Sequence, residues 1–445
     1  MMKHANCEQL PEDLVYTIFL NLPVKTLLRF QSLSRRWNRI IAGRAFGKHH
    51  YLHNNNGNSK LRADHVFIHP LFPNSPDDQV AVHYTMTTTT KEMKKQTSAA
   101  WCVCYDDHDH DHSERCVPPP PFTGIDWLPD PLLSEPRERW FVSSSCHGMV
   151  CMTHHRHPAA AAIFIWNPFT RQRRHVPWPG LDRSFLAVSQ SFVGFGYDHV
   201  TDDYKIVVST GQKFAVAGPF GSEHPGITYV MALRDNNAWR RVDEVVFPFA
   251  GSLELEQPVA YLNGEAYWIS RTVRANLTAP EGVGRRYVIP KFNFADETLA
   301  ILPPPRGLGP GRNWWVRLGQ YKESLCFFDF HHGWPRQAPD WIIHVWSLRG
   351  EQGSGDGGIT WSKVMSVPLM CKGVSYNRRE PWGFTIDGDL IMKISFDNNG
   401  LFTFLVEEGR FVDLLRDDHI QLGAMEDQAV HHLQMETLIS PLSAF

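Results

Sequence analysis

Acidic residues are missing from residues 15–63, a stretch that carries Lys25, Arg29, Arg35, Arg36, Arg39, Arg44, Lys48, Lys60 and Arg62. The chain as a whole has a net charge of only −3, so no whole-molecule polyelectrolyte role follows. Cysteine is scarce: eight in 445 residues, at positions 7, 102, 104, 116, 146, 151, 326 and 371. So thin a scatter is no disulfide framework and fits free thiols in a reducing compartment. No apolar run approaches the length of a membrane span, and the first residues, MMKHANCEQ, lack the apolar stretch of a secretion signal. The expected location is therefore the cytoplasm, the nucleus or both. No Gly-x-Ser-x-Gly elbow occurs, and no carboxylate pair stands out as general acid and base. The glycine-rich run at 307–312 lacks the Lys-Ser/Thr ending of a phosphate cradle and reads as a loop. No cofactor or metal is expected.

Residues 10–41 are present as a self-contained helical pattern. Pro11 stands where its missing N–H costs nothing, with Glu12 and Asp13 in the electropositive first turn. Leu14, Ile18 and Leu22 recur at a spacing of four, with Val15 and Phe19 beside them. Pro23 ends that helix and opens a second, with Val24, Leu27, Leu28 and Gln31 at helical spacing. Ser34 is a cap for a third, which carries Trp37, Ile40 and Ile41. A unit this small cannot enclose so much apolar surface by itself, so another part of the chain or another protein must cover some of it.

Leu10-Pro11, Leu22-Pro23-Val24-Lys25, Leu27-Leu28-Arg29-Phe30 and Ser34-Arg35-Arg36-Trp37 follow in order and spacing the pattern of an F-box, which this segment resembles. The resemblance implies docking onto the Skp-type adaptor of a cullin-based ubiquitin ligase. Carried over residue by residue, Leu10, Pro11, Ile18, Leu22, Pro23, Leu27, Leu28 and Trp37 would face that adaptor or support the facing surface. Gln31-Ser32-Leu33 departs from the usual Arg-Cys-Val and softens the apolar face. Leu22→Asp, or Pro11→Ala with Leu27→Asp, is expected to abolish docking while the propeller still folds. A DNA-reading unit is the alternative for a basic three-helix pattern, through Arg35, Arg36, Asn38 and Arg39. That reading leaves the apolar excess unexplained, whereas an acidic protein partner explains both features.

Beyond residue 41 long helical periodicity disappears, and Gly and Pro punctuate short β-prone runs. The runs group in fours: 140–144, 149–153, 162–167 and 171–176; then 193–197, 203–209, 228–234 and 238–242. The next are 257–262, 265–270, 287–294 and 298–302; 314–319, 324–330, 341–348 and 360–367; and 382–386, 389–395, 401–406 and 410–415. Second strands recur at Met149, Tyr204, Ala266, Leu325 and Leu390. A four-strand unit at this period predicts the blades of a β-propeller. Leftover runs at 64–69, 80–86 and 100–105, with 428–439, predict a sixth blade closed by strands from both ends of the sequence, because closure removes exposed edges. A stacked β-sandwich array is the alternative that the same pattern allows.

Ser145-Cys146-His147-Gly148-Met149-Val150-Cys151, Trp166-Asn167-Pro168-Phe169-Thr170-Arg171 and Gly194-Phe195-Gly196-Tyr197-Asp198 resemble motifs of the F-box-associated domain of plant F-box proteins, itself kelch-like. Thr201-Asp202-Asp203-Tyr204-Lys205-Ile206-Val207 and Leu262-Asn263-Gly264 with Tyr267-Trp268 continue the resemblance, which covers most of 140–415. These motifs read as turns, with Asp202-Asp203 as an Asx-type turn before a strand. The resulting division is a flexible 1–9, a helical F-box at 10–50, a linker at 51–63 and a propeller at 64–440. Residues 106–121 form a flexible insertion rich in His, Asp and Pro.

Two clusters look metal-like. His108, His110 and His112 alternate with Asp107, Asp109 and Asp111 and precede Glu114. They adjoin a proline run, and we read them as a solvated insertion. Cys146, His147, Cys151, His154, His155 and His157 match no zinc spacing, and the two thiols fall at strand positions suited to core packing.

Within each unit the turn from strand one to strand two is short, whereas 210–227, 271–286, 331–340, 177–192, 243–256, 303–313 and 368–381 are long. Strand alternation places the long connections on one face, where binding function tends to reside. Aromatic and arginine anchors there would be Phe214, Phe220, His224, Arg274, Arg306, Trp314, His331, Trp334, Arg378 and Trp382. The expected function is that of a non-catalytic substrate receptor, with the F-box on the adaptor, and through it a cullin, and the propeller on a target protein. A kelch-like propeller enzyme and a ligase-independent scaffold are the alternatives.

Overall fold

Ser34 ends one helix and starts the next: its side chain accepts the Arg36 N–H at 3.2 Å, while its backbone is extended. Helices α1 (Glu12–Leu20), α2 (Val24–Leu33) and α3 (Arg35–Ile41) thus begin at Pro11, Pro23 and Ser34, where the sequence placed their starts. In the computed structural model, the described residues are 10–55, 64–70, 82–86, 93–95, 140–154, 162–170, 172–179, 191–210, 227–235, 238–242, 259–272, 286–306, 316–321, 323–332, 341–349, 360–368, 379–385, 387–394, 400–413, 428–433 and 438–441.

A fourth helix, α4 (Arg44–Asn55), was not picked out in the sequence; it starts within the segment read as the helical F-box and runs on into residues 51–55, read as linker. Its buried positions Phe46, His50 and Asn54 do recur every four residues, but two of them are polar. Their task explains the choice. The His50 ring Nε2 lies 2.9 Å from the Leu22 carbonyl, and Asn54 Nδ2 donates to the Leu20 carbonyl at 2.8 Å. Those carbonyls belong to the end of α1 and the turn after it, where intrahelical donors run out. The helical core gathers Phe19, Leu20, Val24, Leu27, Ile41 and Phe46, with Trp37 edge-on to Phe19 at 5.5 Å.

Five antiparallel sheets are each built from consecutive strands. The first holds β4 (Trp140–Cys146), β5 (Met149–His154), β6 (Ala162–Trp166) and β7 (Arg173–Pro177) in that order. The second holds β8 (Ser191–Asp198), β9 (Asp203–Thr210), β10 (Ile227–Ala232) and β11 (Arg240–Val242). The third contains β12 (Ala260–Leu262), β13 (Glu265–Tyr267), β14 (Ser270–Thr272), β15 (Arg286–Asn293) and β16 (Leu299–Leu302), with β13 and β14 both paired to β15. The fourth is β17 (Val316–Tyr321), β18 (Ser324–His332), β19 (Trp341–Arg349) and β20 (Thr360–Pro368). The fifth is β21 (Arg379–Phe384), β22 (Leu390–Ile394), β23 (Gly400–Leu405) and β24 (Arg410–Asp413). These are the blades of a β-propeller, and they coincide with the five groups of four read from the sequence, except that β14 adds a fifth strand to the third. Blades made of consecutive strands number five among the described residues rather than six. One further sheet, in the order β25 (Gln428–Leu433), β1 (Asp64–Pro70), β2 (Val82–Met86), β3 (Met93–Lys95), takes strands from both ends of the described chain. The expected strand at 100–105 lies outside the described residues.

Neighbouring blades are tied by a repeated device. Trp239 Nε1 donates to the Pro177 carbonyl at 2.7 Å, and Trp361 Nε1 donates to the Pro303 carbonyl at 2.8 Å. In each case an indole at the outer strand of one blade reads the proline that closes the outer strand of the blade before it. The Gly194 and Gly196 positions are explained by packing. A Cβ on Gly196 would sit 2.2 Å from the Phe294 ring and 2.6 Å from that of Tyr261, so these rings need bare backbone to lie against.

Candidate functional site

The helical unit keeps an apolar ridge open to solvent. Leu14 and Ile18, one helical turn apart on α1, are 46% and 41% exposed; Leu10, just ahead of α1, is 56% exposed, and Leu33 at the end of α2 is 68% exposed. An ion pair between Glu12 and Arg36, at 3.1 Å, ties the start of α1 to the start of α3 and so brings Leu33 to the same end of the unit. Of the residues expected to dock a partner, Leu10, Pro11, Ile18 and Pro23 are exposed, and Leu22, Leu28 and Trp37 are half-buried against the helical core. Leu27 is fully buried. It supports the surface from beneath, and a charge there would disrupt the helices themselves. Leu14 and Leu33 were not among the expected contacts. Leu14 carried a signal in its spacing of four from Ile18, whereas Leu33 carried none. Lys25, Arg29, Arg35 and Arg39 line the exposed sides of α2 and α3.

The opposite side of the unit is occupied. Lys48 on α4 donates to Asp202 Oδ1 at 2.6 Å and to the Tyr197 hydroxyl at 2.8 Å, and its ammonium lies 5.3 Å from the centre of the Tyr197 ring. Arg44 donates to the Asp202 backbone carbonyl and stands 3.8 Å from its carboxylate. Asp202 is in left-handed backbone, φ 53°, in the turn between β8 and β9. Asp198 shapes that turn by accepting the Val200 N–H at 2.8 Å, an Asx-type bond four residues before the Asp202 at which the sequence suggested one. Arg234 holds the turn from its other side through Asp203 and the Thr201 carbonyl. The bonds from Lys48 and Tyr197 hold the Asp202 carboxyl below its ordinary range, and the same carboxylate raises Lys48. Next to this clamp the Tyr51 ring of α4 lies 4.8 Å from that of His147, whose Nδ1 is 2.9 Å from the Tyr204 hydroxyl. Burial, with a smaller contribution from the Lys48 charge, pushes His147 down to about 4.

The metal-like cysteines have a plain role. Cys146 and Cys151 are buried in one core cluster with Met149, Ile163 and Ile165, and burial raises both thiols far above the ordinary range. Among the described residues no three His, Cys, Asp or Glu side chains gather as a metal site. The 107–114 run, like His155 and His157, lies outside the described residues.

Contacts with the helical unit fall on the turns joining strands one to two and three to four: His147, Asp202 and Phe169. The connections from strand two to three, and from blade to blade, leave from the other ends of the strands. There Arg306 is exposed after β16, and His331 lies near the end of β18, paired with Ile342. Trp382 lies in β21 at the irregularity between Pro381 and Gly383. Phe214, Phe220, His224, Arg274, Trp314, Trp334 and Arg378 lie outside the described residues.

Comparison with known proteins agrees with this architecture. The F-box domain family matches residues 7–49, and the F-box associated beta propeller domain family matches residues 132–420. An F-box/kelch-repeat protein of Arabidopsis thaliana is 24% identical over 406 residues, covering 90% of this chain and 89% of its own length. A second F-box/kelch-repeat protein of that plant is 23% identical over 376 residues, covering 81% of this chain and 72% of its own. Among solved structures, an α-L-arabinanase of Penicillium chrysogenum aligns at 9% identity and a TM-score of 0.37 over 62% of this chain and 79% of that one, too slight a likeness to argue from. The chain belongs to the F-box associated β-propeller family, with an F-box ahead of its propeller.

Proposed function

We propose that this protein is the target-recognition subunit of a Skp-cullin-F-box ubiquitin ligase. The observation that carries the reading is the open ridge of Leu10, Leu14, Ile18 and Leu33, on a unit whose other side is already committed to the propeller. Isolated apolar side chains on a surface need no explanation, but Leu14 and Ile18 at one-turn spacing on α1, with Leu10 ahead of that helix and Leu33 at the end of α2, make a docking face for a helical partner. The basic side chains around it favour an acidic one.

In this reading the sheet of β25 with β1 to β3 is a sixth blade, and the pairing of strands from both ends supports a closed ring. The long connections on the face away from the F-box would hold the target, with Arg306 within them and His331 and Trp382 on the strands β18 and β21 that adjoin them. The chain performs no bond chemistry. It raises the effective concentration of a target lysine near a loaded conjugating enzyme, which places its action in the cytoplasm or nucleus.

Co-purification of the full chain with a Skp-type adaptor tests the reading. Binding is expected for the wild type and lost in Leu14→Asp. An adaptor that ignores the wild-type chain overturns it, as does one that binds Leu14→Asp equally well.

A further inference from the structure

Leu438 and Ile439 are neighbours in sequence but belong to different cores. Leu438 is buried with Phe19, Leu27 and Phe46 of the F-box, and Ile439 is buried with Cys146, Met149 and Ile163 of the propeller. Successive residues of an extended chain point to opposite sides, so a segment lying between two bodies can anchor in both. Asn167 fixes it from the propeller side, donating Nδ2 to the Ile439 carbonyl at 2.7 Å. The Asn167 Oδ1 meanwhile accepts the N–H groups of Phe169 and Thr170, at 2.8 and 3.1 Å, which ties the segment to the turn after β6. From the F-box side, Gly47 of α4 lets the backbone approach: a Cβ there would already stand 3.4 Å from the Leu438 carbonyl carbon and oxygen.

Strand pairing explains why the segment arrives here. β25 is antiparallel to β1, and Leu433 is opposite His65, so the chain leaves β25 where it enters β1. That end of β1 is the one joined through residues 56–63 to α4.

We infer that residues 438–441 are a strap that fixes the F-box on the propeller, making Leu438, Ile439 and Asn167 positioning residues for target presentation. The inference rests on the receptor reading for its purpose. A rigid span sets one distance between the docked adaptor and the bound target, whereas a flexible one spreads the target lysine over a larger volume. The Asp202 clamp lies beside the strap and fixes α4 against rotation. Ala42, Gly43, Tyr204 and Ser440 line the cleft between the two contacts.

Energy transfer between dyes placed by non-natural amino acids at exposed Lys25 on α2 and exposed Glu407 after β23 measures the span directly in the full chain. Wild type is expected to give one narrow distance distribution. Leu438→Ala with Ile439→Ala should widen it at least about twofold, with helix content retained, and Leu438→Met with Ile439→Val should restore it. An unchanged width in the alanine pair overturns the strap. Should the alanine pair lose helix content, Gly47→Leu, which displaces the strap without removing its anchors, is read by the same criterion. No adaptor is present in this measurement. Failure of adaptor docking would therefore overturn the proposed function and leave the strap standing, and an unchanged width would do the reverse.

Discussion

The Asp202 carboxylate and the Lys48 ammonium meet at 2.6 Å across 154 residues of chain, and at that contact the F-box becomes part of the propeller. Both partners are partly exposed, so the pair alone contributes only about 0.2–1 kcal/mol. Tyr197 and Arg44 converge on the same turn, and buried Leu438 and Ile439 lie next to it. The apolar contacts therefore carry most of the attachment, and the charges fix its direction.

Replacing Asp202 with Asn, which also tolerates left-handed backbone, should lower stability by roughly 1 kcal/mol or less. Asp202 is depressed below 3.8, so its contribution is present above that value and fades as pH falls through the folded pKa. Lys48 is raised above 10.5, so its share is present below that value and fades as pH rises past it. The midpoint of unfolding should fall with added salt more steeply in the wild type than in Asp202→Asn. Equal slopes would mean that the clamp is electrostatically idle.

Leu14 and Leu27 should separate docking from folding. Leu14→Asp alters an exposed position and should leave stability within about 0.5 kcal/mol, while adaptor affinity falls at least about tenfold. Leu27→Ala empties a fully buried site and should destabilise the helical unit by about 2–5 kcal/mol. Calorimetry beside adaptor titration distinguishes the two, and a Leu14→Asp protein that melts early would place Leu14 in the core instead.

His147 should make stability depend on pH in the mildly acidic range. Its folded pKa of about 4 lies below the ordinary 6.5, so the unfolded chain takes up a proton first as pH falls. Stability contributed by the neutral ring is complete above about pH 6.5 and is lost between there and 4, on the order of 3 kcal/mol at most. His147→Asn keeps a residue suited to φ 48° and removes the titration. Its unfolding midpoint should therefore fall less over that interval than that of the wild type.

Trp239→Phe and Trp361→Phe should each cost about 1 kcal/mol by losing one hydrogen bond to a neighbouring blade. The two lie in different blades and share no partner, so the double variant should show the sum in denaturant titration. A double variant no worse than either single would show that one of the bonds is not a tie between blades.

Much of the scaffold was legible because its signals are local. Pro11, Pro23 and Ser34 mark helix starts by backbone chemistry, and the five groups of four strands follow from alternation and turn residues alone. Helix α4 was not legible, because its buried face carries His50 and Asn54, which look like surface residues until the carbonyls of Leu20 and Leu22 are set beside them. Leu27 was carried over from the F-box resemblance as facing the adaptor or supporting the facing surface; only the packed helices, which bury it fully, tell the two apart. Cys146 and Cys151 were legible as core thiols from their strand positions, and the strand register places both in the core.

Local patterning, then, suffices for a chain with an F-box followed by four-stranded β units, since hydrophobic period, caps and turns act over a few residues. Which apolar ridge stays open, where α4 is clamped and how Leu438 and Ile439 come to lie between the two bodies depended on the tertiary structure. Those contacts join residues far apart in sequence, and their strength comes from burial that exists only after the sheets have assembled.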